Sequence, residues 1–131
     1  MAKKDKNQKF EILEHTADLR LKVFGSSPKK LFENALYAMG YIQKKDVVKQ
    51  STVGKFLGKI RGRQISEDLV VESMDYNTLL IDFLSETLSL SDAQNAVFFK
   101  VKFNKFSDTK IEAKIYGVRV DDFDFIYGLV Y

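Results

Sequence analysis

The chain has no cysteine, one histidine and one proline among its 131 residues. Without cysteine there is no disulfide, no thiolate nucleophile and no cysteine metal ligand. One histidine and no cysteine cannot build a zinc site of the usual His/Cys kind. No apolar run approaches the ~20 residues of a membrane helix. Met1–Lys9 is polar and lacks the apolar segment of a secretory signal. A soluble, cytoplasmic protein with no membrane partner is therefore expected. Also missing are a glycine-rich phosphate loop, a dinucleotide fingerprint, an H-E-x-x-H pair and a G-x-S-x-G elbow.

What is present is a foldable composition. Hydrophobic residues make up 45% of the chain and aromatic residues 13%, with eleven phenylalanines. That is too apolar for an intrinsically disordered chain, and 131 residues suffice for one domain with its own core. The net charge of +3 is unevenly spread. Met1–Lys9 holds four lysines and one aspartate. Lys44–Arg63 holds seven basic residues (Lys44, Lys45, Lys49, Lys55, Lys59, Arg61 and Arg63) against Asp46 alone. The rest is mildly acidic. Such a basic segment is either a solvated face or a contact for RNA or an acidic protein.

Read in order, residues 1–9 form a flexible basic arm and 10–131 a single domain. Residues 10–15 and 18–25 read as two strands, the second alternating Leu19, Leu21 and Val23 with Arg20 and Lys22. Ser27-Pro28 suits an N-cap and first helical position. The helix they open carries Leu31, Phe32, Ala35, Leu36 and Met39, and Gly40 either ends it or sits in its last turn. Thr52–Ile60 and Ile65–Met74 read as strands joined at Arg61–Gln64. Asp75 caps a second helix with the stripe Leu79, Leu80, Phe83, Leu84, Thr87, Leu88 and Leu90, ending at Ser91-Asp92. Ala96–Phe106 and Lys110–Val120 read as an antiparallel hairpin, with lysines alternating against apolar residues from Phe99 onward. The fold class expected is α+β in two layers, with two helices packed on a mostly antiparallel sheet.

Between the first two strands lie His15-Thr16-Ala17-Asp18. Thr and Asp are common turn residues that bond the local backbone. Asp and His also bind cations and move protons. The carboxylates Asp18, Asp75, Asp121, Asp122 and Asp124 are the candidates for a hard cation that wants oxygen ligands.

His15-Thr16-Ala17-Asp18 after a short strand, a strand ending at Gly25, and Leu31-Phe32-Glu33-Asn34-Ala35 on a helix together resemble the archease family. Leu79-Leu80-Ile81-Asp82-Phe83-Leu84 through Leu88 is similar to that family's second helix. Gly117-Val118-Arg119-Val120-Asp121 is similar to its G-E-x-x-D, with Val118 where the family has glutamate. The resemblance implies a protein cofactor of the GTP-dependent RNA ligase that joins tRNA halves. Such a cofactor promotes guanylylation and repeated turnover of the ligase, touches tRNA only through it, and is not itself an enzyme. It also implies a divalent metal, calcium in some members, held by Asp18, with His15 and Thr16 orienting that carboxylate from behind. The family pattern continues into a further aspartate-bearing strand, whereas this sequence stops at Val130-Tyr131. The chain is then either shortened or a divergent member, with Asp121, Asp122 and Asp124 as the candidate substitutes for the second carboxylate.

Two other functions stay open beside this one. An RNA- or protein-binding adaptor would work through residues 44–63, with Lys59, Arg61 and Arg63 as its contacts. A small hydrolase would use His15, with no nucleophile motif to accompany it.

Overall fold

The computed structural model describes residues 8–13, 20–53 and 63–121. In chain order the elements are β1 (Phe10–Leu13), β2 (Arg20–Val23), α1 (Pro28–Gln43), α2 (Lys45–Val53), β3 (Gln64–Glu72), α3 (Tyr76–Gln94), β4 (Ala96–Phe106) and β5 (Lys110–Arg119). β1 and β2 make an antiparallel pair, with Phe10 opposite Val23 and Leu13 opposite Arg20. The other three strands form an antiparallel sheet in the order β3-β5-β4. This is the expected α+β architecture.

Both expected caps are present. The Ser27 hydroxyl accepts from the Lys30 amide at 3.2 Å, ahead of Pro28, which has no amide to satisfy. The Asp75 carboxylate accepts from the Thr78 amide at 2.8 Å. Each satisfies one of the orphan donors of a first turn.

α1 and α3 press into one core with the sheet. Phe32, Leu36 and Met39 come from α1, Leu79 and Phe83 from α3, Leu69 and Val71 from β3, Phe98 and Val101 from β4, and Ile111, Ala113 and Ile115 from β5. Phe32 is its hub. Its ring stacks on Phe83 at 5.6 Å between centroids and meets Phe106 edge-on at 5.1 Å. Burying such a side chain contributes roughly 1.5–3 kcal/mol.

α3 is longer than expected. The buried line Leu79, Phe83, Thr87, Ser91 repeats every four residues, and the helix runs to Gln94. Asn95 ends it in the left-handed region at φ 50°, its amide donating to the Ser91 carbonyl. Asn tolerates that conformation better than other residues with a side chain. Ser91-Asp92 therefore lies inside the helix rather than at its end.

Thr52 and Val53 belong to α2, not to a strand, and residues 54–62 lie outside the described residues. Val47, Val48, Thr52 and Val53 are β-branched, which lowers helix propensity. Tertiary packing outweighs it: Val48 is fully buried with Val97 and Val120 in a second, smaller cluster that includes Tyr37, Tyr41 and Phe99. Val97 precedes Phe98 in the strand, and successive side chains point to opposite faces. α2 thus covers one end of the sheet face turned away from the main core. It is a third helix beyond the two expected. β3 pairs with β5.

β4 carries two bulges, between Phe98 and Lys100 and between Phe103 and Lys105. Each adds one residue and resets which side chains face inward. Phe98, Val101, Phe103 and Phe106 all reach the main core despite their 3-2-3 spacing.

Candidate functional site

Of the residues singled out in sequence, His15, Thr16, Asp18, Lys55, Lys59, Arg61, Asp122 and Asp124 lie outside the described residues, as do residues 1–7 of the expected arm. What frames His15–Asp18 is described. Leu13 sits opposite Arg20, which fixes both ends of the connection. β1 and β2 are anchored to α1. Phe10 lies against Tyr41 at 5.1 Å between centroids. The buried Asn34 amide donates to the Phe24 carbonyl at 2.6 Å. The pairing runs one step past β1, because the Phe24 amide donates to the Lys9 carbonyl at 2.9 Å. Gly25 passes so close to α1 that a β-carbon there would stand 2.5 Å from the Leu31 nitrogen.

The stretch Gly117–Asp121 ends β5 beside β3 and the α3–β4 corner. The Arg119 amide donates to the Arg63 carbonyl at 2.8 Å, and the Val120 amide to the Asn95 carbonyl at 2.8 Å. Val118, at the position where the resembled pattern has glutamate, is 1% exposed. A carboxylate there would lose its water, a cost that valine does not carry.

Arg63 and Asp121 were expected in different roles, one as a basic contact and one as a metal carboxylate. They face each other instead, with Nη1 3.4 Å from Oδ1 and side chains 50% and 87% exposed. An exposed pair of this kind contributes ~0–1 kcal/mol, so either partner is free to exchange for a ligand. Among the described residues, no three Asp, Glu or His side chains come together to hold a metal. Calcium takes six to eight oxygens, so the described carboxylates do not by themselves make its site.

The basic segment is partly resolved by α2. Lys44 is the half-buried junction between α1 and α2, its amide donating to the Gly40 carbonyl and its carbonyl accepting from the Val48 amide. Lys45 and Lys49 are exposed on α2, with the Lys45 ammonium 5.7 Å from the Tyr41 ring centre.

A cleft of about 470 Å³ opens between α1 and the edge of β4, with Lys9, Lys30, Glu33, Tyr37, Phe99 and Lys100 in its lining. The Lys9 ammonium sits 4.0 Å from the Tyr37 ring centre. Burial pushes its pKa below the ordinary lysine value, nearby Lys30 pushes the same way, and Glu33 opposes them. From this cleft a line of exposed lysines, Lys100, Lys102 and Lys105, follows β4. The sequence alternation marks Lys100 and Lys102 as a wet face. Lys105 has the wrong parity to join them, and only the second bulge brings it there.

Among the described residues no helix is long and apolar enough to cross a membrane. The family model described as the Archease protein family (MTH1598/TM1083) matches residues 10–126, a span that takes in both His15–Asp18 and Gly117–Asp121. The archease protein of Methanosarcina acetivorans is 32% identical over 111 residues, covering 85% of this chain and 68% of the relative. That of Pyrococcus abyssi is 32% identical over 117 residues, covering 87% of this chain and 74% of the relative. The solution structure of Methanobacterium thermoautotrophicum protein 1598 superposes with a TM-score of 0.53 at 22% identity, over 91% of this chain and 75% of that one, which shows a shared fold. On the family match and these relatives together, the chain belongs to the archease family.

Proposed function

We propose that the chain is a protein cofactor in tRNA splicing. It promotes guanylylation of the GTP-dependent RNA ligase and lets the ligase turn over repeatedly in the cytoplasm. The observation that supports this reading is the family match across residues 10–126, which spans both candidate motifs. The chain acts non-covalently, by binding at the ligase's nucleotide site and positioning what binds there.

On this reading Asp18 would hold a divalent cation, calcium, which would supply positive charge for the nucleotide phosphates. His15 and Thr16 orient Asp18, the part that outer hydrogen bonds play behind a ligating group. Phe10 and Asn34 tie β1 and β2 to α1 at the end remote from this connection, and the strands stay paired up to Leu13 and Arg20, which supports a common base for it. The weak, exposed Arg63–Asp121 pair supports Asp121 as a carboxylate that can be recruited on binding.

The test is multiple-turnover ligation of tRNA halves with the ligase limiting. Wild type raises product well above one equivalent of ligase. Asp18→Ala does not, while its melting temperature stays near that of wild type. Equal stimulation by Asp18→Ala removes Asp18 from the mechanism, and no stimulation by wild type removes the function.

A further inference from the structure

The sheet β3-β5-β4 is covered on its inner face by α1 and α3 and, at one end of its outer face, by α2. Among the described residues, no element packs on the rest of the outer face. Cross-strand register sets its side chains in rows. Ser66, Tyr116 and Lys100 form one row, Asp68, Lys114 and Lys102 the next, and Val70, Glu112 and Lys105 the third. Two of the acids are answered from β5, because Lys114 reaches Asp68 at 3.8 Å and Lys110 reaches Glu112 at 3.8 Å. Lys100, Lys102 and Lys105 have no ion pair among the described residues.

Among the described residues this is a single file of three ammonium groups with no carboxylate partner, along the strand at the edge of the sheet. Lys100 and Lys102 are separated by about 6.6 Å of strand. The file exists only because β4 is bulged twice. Without the bulge at Phe103/Lys105, Lys105 would turn into the core, and without that at Phe98/Lys100, Phe98 would turn out beside Lys100. Tyr116, half-buried, lies opposite Lys100 and offers an aromatic ring at the head of the file. Past Lys100 the cleft adds Lys9, while its Lys30 is paired with Glu33 at 3.4 Å.

Which polyanion such a face suits follows from composition. Protein interfaces are depleted of lysine and centre on buried apolar residues, whereas this face has Val70 as its one large exposed apolar side chain. A row of point charges beside an aromatic ring is what a single-stranded nucleic acid requires, with ammonium groups on the phosphates and a ring against a base.

We propose that the outer face of this sheet binds the backbone of single-stranded nucleic acid along Lys105, Lys102 and Lys100, with Tyr116 stacking against a base. This surface lies outside the 44–63 segment. It does not depend on action upon a ligase, because binding is read on the chain alone.

The test is fluorescence anisotropy with a labelled single-stranded RNA of about twelve nucleotides, across a salt series. Wild type binds with a log–log salt slope set by the phosphates it neutralises, and the triple variant Lys100→Ala, Lys102→Ala, Lys105→Ala has a slope shallower by about 2. Its affinity at low salt falls about tenfold or more. Tyr116→Leu weakens binding and leaves the slope unchanged. A control triple variant at exposed Lys22, Lys29 and Arg119 removes the same charge elsewhere and has little effect. Equal losses in both triple variants, or no RNA binding by wild type, overturn the proposal. Binding of a polyglutamate peptide as tight as RNA also overturns it, in favour of an acidic protein partner.

Discussion

Gly117 in β5 lies so close to Val97 in β4 that a β-carbon at Gly117 would stand 2.0 Å from the Val97 carbonyl oxygen. The contact sits one residue before the Phe98/Lys100 bulge, where Gly117 is the register partner of Phe98. The glycine of the G-x-x-x-D stretch is therefore a packing requirement of the bulged strand. The obstacle is backbone, which cannot swing away as a side chain can.

Gly117→Ala should cost ~3 kcal/mol, at the upper end of what forcing extra volume into a packed site costs. For a domain of this size that corresponds to a melting temperature lower by about 10 °C. Differential scanning calorimetry measures it. A melting temperature unchanged by the substitution would mean the β4–β5 spacing is not as described.

Asp75 gives a pH-dependent prediction. Hydrogen bonds from the Thr78 amide and side chain hold its carboxyl below the ordinary value of 3.8. A depressed pKa in the folded state adds stability that is fully present above the unfolded value and lost as pH falls through the folded one. Asp75→Ala should therefore melt below wild type at pH 7. That gap should narrow as the pH drops below 3.8, since a protonated carboxyl keeps only the neutral part of the cap. Asp75→Asn keeps the cap without a titrating group, so it should show a flatter pH profile. Thermal melts across the acid range compare the three. A gap between wild type and Asp75→Ala as wide at the acid end as at pH 7 would contradict the capping account.

Ser91 is fully buried in α3 and its hydroxyl has no hydrogen-bond partner. A buried polar atom without a partner is a cost, and alanine is the better helix former. Ser91→Ala should be neutral or stabilising by up to ~1 kcal/mol by chemical denaturation. A loss of more than that amount would mean the hydroxyl is bonded in solution.

The parts of the fold legible in sequence are those governed by local rules. Ser27 and Asp75 cap because short oxygen-bearing side chains satisfy first-turn amides. The β4–β5 hairpin shows as alternation on either side of Ser107-Asp108-Thr109. Three features were not legible, each decided by contacts remote in sequence. α2 forms from β-branched residues because Val48 is buried against Val97 and Val120. The two bulges of β4 are invisible to a period-two reading, yet they decide that Lys105 joins Lys100 and Lys102. The Arg63–Asp121 pairing brings together residues 58 apart in the chain. For the candidate site, the motif His15–Asp18 stood out by residue type, and the strand ends that hold it by alternation. The lysine file did not stand out, because its third member depends on a bulge.

The central claim is that this chain acts on a ligase rather than on a substrate of its own. The most direct measurement incubates the RNA ligase with labelled GTP and manganese or magnesium, with and without the chain, and follows the covalent label on the ligase over time. The account predicts a faster and fuller rise of labelled ligase with wild type, no label on the chain itself, and no acceleration with Asp18→Ala. Identical labelling with and without wild type would contradict it.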